Sequence, residues 1–187
     1  MKRRTFLLTT TAATVFELPE QSAQAGVQSA KTPGKGFVIK AGADRFGEKT
    51  KLFGVTPNDI KVSTKDTSGT LSIFEYNGRE KGGPPLHSND NQDEIYYVIE
   101  GRYLFEFGGE KHTLTAGDLI FAPQKVGHTF AQLTDTGRMI LLIQPSGKME
   151  DYFRTLGRLT RKLSPQEGAK LFTDHGMQLV GPPLPVD

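Results

Sequence analysis

The sequence predicts an all-β fold, an antiparallel sandwich or barrel followed by C-terminal helices. Three observations carry that expectation. Short runs with alternating apolar residues follow one another from Pro84 to Gln144, separated by turn residues and with no helical stretch between them. The 21 glycines and 11 prolines are spread over many such junctions rather than gathered in one low-complexity tract. Beyond Gly147 the apolar spacing changes from two to three or four residues, the helical period.

The first 25 residues read as an export signal outside the fold. Lys2, Arg3 and Arg4 precede an apolar, Thr-rich run, TFLLTTTAATVF, which is too short to span a bilayer as an ordinary helix. The RRTFL stretch resembles the twin-arginine export signal, and Ala23-Gln24-Ala25 is a small-x-small cleavage site before Gly26. The expectation is a periplasmic or otherwise extracytoplasmic protein, carried out already folded and with no stable membrane insertion after processing. Residues 26–35 (GVQSAKTPGK) are small and polar and read as a linker.

Residues 36–147 should form the β-domain. Phe37–Lys40 is expected as a short first strand, then 59–63 (DIKVS) and 69–76 (GTLSIFEY). The following strands are expected at 84–88, 94–100, 102–108, 110–115, 118–122, 127–133 and 138–144. Residues 148–187 form a helical extension and tail. In MEDYFRTLGRLTRKL, Met149, Tyr152, Phe153, Leu156 and Leu159 share one helical face. Ser164-Pro165 with Glu167 is an N-cap, a first-turn proline and a capping-box acid, so a second helix should run to about His175 and stop at Gly176. The GPPLPVD tail should lie extended against the sheet or a neighbouring subunit.

Composition narrows the chemistry. A formal net charge of +2 argues against nucleic acid or an anionic membrane as the main partner. Cysteine is absent, which rules out disulfides, thiolate ligands and a cysteine nucleophile, so any metal must sit on nitrogen and oxygen. His87 and Asn89 share a strand face, Glu94 points with Tyr96 and Val98, and His128, Phe130 and Gln132 form a third row. Were these rows to line one small barrel, His87, Glu94 and His128 would meet around a single cation. Two imidazoles and a carboxylate suit Fe, Mn, Ni, Cu or Zn. Tyr96, Phe130 and Gln132 would then line a substrate pocket. His112 reads as exposed and His175 as a helix-end residue; the Phe105/Phe107 and Leu119/Phe121 rows read as core.

The spacing of these residues resembles the two motifs of the cupin superfamily. The first runs from Gly82 through His87, Asn89 and Glu94 to Gly101; the second runs through Gly117, Pro123, Lys125, His128 and Gln132. The C-terminal region is similar to small bacterial cupins of the quercetin-dioxygenase kind. The resemblance implies a jelly roll, one divalent transition metal and a homodimer, with Phe37–Lys40 as an exchanged edge strand. It also implies a metal-dependent oxidoreductase, a dioxygenase acting on a small aromatic or oxygenated compound, in which Glu94 both binds the metal and moves a proton. Asn89 stands where the family usually has a histidine ligand. Three outcomes follow: a three-ligand centre, recruitment of Asp90, Asn91, Gln92 or Asp93, or loss of the metal with a polar pocket kept. The alternatives to a dioxygenase are a non-catalytic small-molecule-binding protein and a metal-assisted isomerase or decarboxylase.

Overall fold

The computed structural model describes residues 35–48, 51–52 and 56–186. The expected export signal and all but Lys35 of the linker lie outside the described residues. Among the described residues eleven strands and two helices follow in chain order: β1 (Lys51–Leu52), β2 (Thr56–Val62), β3 (Ser72–Gly78), β4 (Pro85–Asn89), β5 (Asp93–Glu100), β6 (Arg102–Phe107), β7 (Glu110–Thr115), β8 (Leu119–Ala122), β9 (His128–Gln132), β10 (Gly137–Gln144), α1 (Met149–Arg158), α2 (Pro165–Asp174) and β11 (Met177–Pro183). The strands form two antiparallel sheets, one ordered β1-β2-β3-β10-β5-β8 and the other β11-β4-β9-β6-β7. This is the jelly-roll arrangement, with the inner faces of both sheets packed around one core.

Alternation builds that core. On β5, Glu94, Tyr96 and Val98 are buried while Tyr97 between them is exposed. Tyr96, Tyr103, Phe105 and Phe130 meet edge-on or tilted, with centroids 5.1 to 6.3 Å apart, and fill the barrel. Gly82 and Gln132 exchange two backbone hydrogen bonds of 2.8 and 3.0 Å. The next residue must also be glycine, because a Cβ at Gly83 would overlap the Phe130 carbonyl. The Gly-Gly-Pro-Pro corner therefore seats β4 against β9.

The helices close one end of the barrel. Met149, Tyr152, Phe153 and Leu156 of α1 are buried, each apolar side chain contributing about 1.5–3 kcal/mol. Phe153 meets Phe74 edge-on at 4.8 Å. Glu150 fastens the helix to the loop after β2, accepting from Ser63 Oγ at 3.1 Å, from the Thr64 N–H and from Arg154 at 3.2 Å. α1 ends at Arg158, earlier than its apolar period suggested, one residue past the weak helix former Gly157. α2 begins with the expected Ser164–Glu167 capping box. The tail is more regular than expected: β11 is a strand, paired antiparallel with β4.

Two expectations need correction. Phe37–Lys40 forms no strand; the segment has no ladder partner, and Phe37 packs under the Arg45 guanidinium at 4.0 Å. Leu119 and Phe121 are not core. They lie on the outer face of β8 with 59% and 49% of their surface exposed, while Ile120 and Ala122 carry the inward phase.

Candidate metal centre

Two adjacent strands and one from the facing sheet build the site. His87 on β4 and His128 on β9 are direct cross-strand partners, their rings 4.7 Å apart between centroids. Glu94 enters from the start of β5, 1% exposed. A ligand atom from each of the three lies within 4.8 Å of the others, the one such group of His, Cys, Asp or Glu among the described residues.

The tautomers follow from the backbone. His87 Nδ1 is 2.8 Å from the Pro85 carbonyl and His128 Nδ1 is 3.0 Å from the Val126 carbonyl. A carbonyl only accepts, so each Nδ1 carries a proton and donates it, leaving Nε2 as the ring nitrogen available to an ion. His128 Nε2 stands 3.3 Å from Glu94 Oε2, off the line of a hydrogen bond. The carboxylate is held from both sides: Asn89 Nδ2 donates to Oε1 at 2.8 Å, and the Tyr96 hydroxyl donates to Oε2.

Charge follows this geometry. Burial pushes the Glu94 carboxyl up, but its contact with His128, the two imidazoles and the Tyr96 hydroxyl outweigh burial and hold it down at about 2. Burial, reinforced by His128, lowers His87 to about 4 against the pull of Glu94 and the Pro85 carbonyl. Burial also acts to lower His128, yet Glu94 and the Val126 carbonyl raise it on balance. At neutral pH the site therefore offers a carboxylate and a neutral His87 imidazole.

The donor set fits a divalent ion. His128 Nε2 and Asn89 Oδ1 are both buried with no hydrogen-bond partner, and His128 Nε2 is a lone-pair atom at the centre. A cation would satisfy that nitrogen. Nitrogen, nitrogen and carboxylate oxygen, with an amide oxygen beside them, match Fe, Mn, Ni, Cu or Zn.

Asn89 thus faces the centre rather than away from it. The neighbouring polar residues are engaged elsewhere: Asp93 accepts the Gln124 N–H at 2.9 Å, Asp90 faces Gln178, and Gln92 packs on Gly147. Lys125, in the position where the motif has glycine, takes the left-handed conformation a glycine would take, with φ 66°, and donates its N–H to the Asn89 carbonyl at 2.7 Å. That bond ties the loop before His128 to the strand carrying His87.

Tyr96 and Phe130 line the cavity beside the centre; Gln132 does not. Gln132 shares the phase of His128, but four residues at about 3.4 Å each place it some 13 Å further along the strand. There it bonds Tyr103 and the Thr134 carbonyl. The cavity volume is about 50 Å3. Sequence reasoning missed its other wall: Asn58 on β2, and Met149, Tyr152, Phe153 and Leu156 on α1. The apolar helical face was visible in sequence, but nothing there said that it faced a metal site. His112 is exposed and stacks on Phe107, and His175 Nδ1 donates to the Leu171 carbonyl at 2.8 Å.

Comparison with known proteins agrees with the fold. Residues 72–144, from the start of β3 to the end of β10, match the cupin domain family. This stretch is similar to the cupin domain. The chain is 36% identical over 56 residues to an uncharacterised protein of Methanocaldococcus jannaschii, covering 30% of this chain and 45% of that one. It is 30% identical over 54 residues to an uncharacterised protein of Streptomyces coelicolor, covering 29% and 51%. The chain spans about half the length of these curated relatives. Among solved structures, an RmlC-like cupin from Shewanella frigidimarina aligns with a TM-score of 0.50 at 20% identity, over 60% of this chain and 92% of that one. At that identity the likeness speaks for the cupin fold alone.

Proposed function

We propose that the protein is a metal-dependent oxidoreductase of the dioxygenase class acting on a small oxygenated compound. The observation that carries the reading is the pair of buried imidazoles, each fixed by a backbone carbonyl so that Nε2 is left for an ion beside the Glu94 carboxylate. A transition ion held by His87, Glu94 and His128 supplies Lewis acidity and electron exchange with O2. The chain's own groups do the rest. Asn89 and Tyr96 keep Glu94 ionised and oriented, Glu94 takes a substrate proton at a carboxylate oxygen, and the α1 side chains exclude water. An aromatic substrate is not part of this proposal. The cavity has about 50 Å3, against the roughly 150 Å3 of a cavity that holds benzene.

One observation favours a second reading, small-molecule binding without turnover. Both Glu94 oxygens already accept hydrogen bonds, so the carboxylate is less free to leave an ion and carry a proton. Elemental analysis of protein made with Fe, Mn, Ni, Cu and Zn supplied, followed by oxygen uptake with short hydroxy and keto acids, separates the two. The enzyme reading expects one ion per chain, lost in His128→Ala, together with oxygen consumption. One ion without consumption of oxygen would leave binding, or metal-assisted isomerisation or decarboxylation. An ion-free protein would remove the metal reading.

The proposal extends to partners and location. Phe37–Lys40 forms no strand within the single chain, so it lends the homodimer no direct support. Support for a dimer comes instead from β8, an edge strand without a charged residue. Tyr97 and Leu119 are cross-strand partners, as are Ile95 and Phe121, which makes a continuous outer apolar row suited to a second copy of itself. Export as a folded, metal-loaded protein rests on the arginine pair. Among the described residues no helix is long and apolar enough to cross a membrane.

A further inference from the structure

We propose that Tyr152 orients the substrate over the metal centre, and that the α1 roof restricts that substrate to a short oxygen-bearing compound with one apolar side. The inference rests on the metal-dependent reading above and adds to it the identity of a substrate-contacting residue and a size limit.

Three tyrosines line the cavity. Tyr96 commits its hydroxyl to Glu94. The Tyr76 hydroxyl lies in the field of Glu80, towards the other end of the barrel. Tyr152 differs from both. It lines the cavity from the roof, and among the carboxylates it is Glu94 whose charge acts on its hydroxyl. Burial first, and Glu94 second, push that hydroxyl well above its ordinary range, so it stays a neutral donor.

Its ring is fixed. Tyr152 meets Phe172 edge-on at 5.4 Å and His175 at 5.6 Å, and lies tilted against Phe153 at 5.5 Å. Phe172 in turn stands edge-on to His87 at 5.4 Å. One aromatic chain thus sets a metal ligand and the Tyr152 ring in a common frame, which is what an orienting donor requires. Met149, Phe153 and Leu156 surround it with hydrocarbon. A substrate placed between the ion and Tyr152 meets a donor at one point and apolar surface around it.

Size follows from volume. About 50 Å3 holds roughly three to five water-sized groups at about 10–15 Å3 each in this measure. That admits a two- or three-carbon acid, aldehyde or alcohol and excludes a six-membered ring while α1 stays seated.

The test uses cobalt(II)-loaded full-length protein, with acetate and catechol as probes followed by the visible spectrum and by calorimetry. Acetate should bind the wild type. In Tyr152→Phe its affinity should fall roughly three- to tenfold, the loss expected of one hydrogen bond, with cobalt content and melting temperature unchanged. Catechol should not bind the wild type and should bind Leu156→Ala, or the milder Leu156→Val if the first does not fold. Acetate affinity within twofold of wild type in Tyr152→Phe, no acetate binding by the wild type, or catechol binding the wild type as tightly as the enlarged variant would each overturn the inference. A wild type that takes up no cobalt would overturn the metal reading and this inference with it. Cobalt uptake with an inert Tyr152→Phe would overturn this inference alone.

Discussion

Replacing Asn89 tests the centre at the position where its ligand pattern departs from two histidines on β4. In the metal-free protein, Asn89→Ala removes a 2.8 Å hydrogen bond to a carboxylate that is 1% exposed. A bond to a charged group of this kind is worth about 1.5–3 kcal/mol. The same substitution removes Asn89 Oδ1, a buried acceptor without a partner, which returns about 1 kcal/mol. The net loss is about 0.5–2 kcal/mol, a fall of about 1–8 °C in Tm for a domain of this size. Metal affinity should fall about 10- to 100-fold, as when a group that orients a ligand is lost, with a stoichiometry of one retained. Asn89→Asp should separate the two properties. Without metal, a second buried carboxylate beside Glu94 destabilises the fold; with metal, the added negative charge tightens binding. Thermal unfolding with and without chelator, alongside competition titration with Zn, measures both. The reasoning is refuted if Asn89→Ala leaves Tm and affinity within error of wild type, or if Asn89→Asp moves both in the same direction.

Acid should unfold the metal-free protein in stages. His87 is held at about 4 against an ordinary 6.5, so the unfolded chain takes a proton that the folded one refuses, and its contribution is lost as pH falls from about 6.5 through about 4. Glu94 is held at about 2 against 4.5, so its contribution is present above 4.5 and lost as pH falls through about 2. His128 acts in the opposite sense: its contribution is complete below 6.5 and lost as pH rises through its raised folded value. Urea unfolding across pH 4 to 9 should show stability declining on the acid side, and a rise between pH 7 and pH 4 would contradict the assignment. Phe121→Lys should turn a dimer into a monomer in light scattering without changing metal content; a wild type that is already monomeric would remove the dimer. Lys at both Arg3 and Arg4 should hold the protein in the cytoplasm on fractionation, and normal export of that variant would exclude a twin-arginine route.

The sequence made the barrel strands legible because their side chains alternate between a wet and a dry face, and the turn residues mark where each alternation stops. The α2 start was legible for another local reason, since Ser164, Pro165 and Glu167 carry the whole capping box. The triad was legible because its members lie within two residues of strand ends whose phase could be read. What failed depended on distance or partnership. Gln132 had the right phase at the wrong height, and Leu119 and Phe121 are apolar on an outer face. Phe37–Lys40 alternates but has no neighbour to pair with. Tyr152 was visible only as one apolar position on a helix, because its proximity to Glu94 is made by folding α1 across the barrel end.

The pairing of β11 has a practical bearing on how the protein is handled. β4, which carries His87 and Asn89, meets β9 at the His87–His128 pair, whereas β11 pairs with it at Asn89, Ser88, His87 and Pro85. The strand that presents two of the centre's groups is thus gripped more extensively by the final strand than by its barrel neighbour. A purification tag, a fusion partner or a shortened clone at that end should disturb the strand beneath the candidate metal centre, even though His87, Glu94 and His128 all lie within the segment similar to the cupin domain. Sequence comparisons confined to that segment would score such proteins as alike while the support beneath their ligands differed.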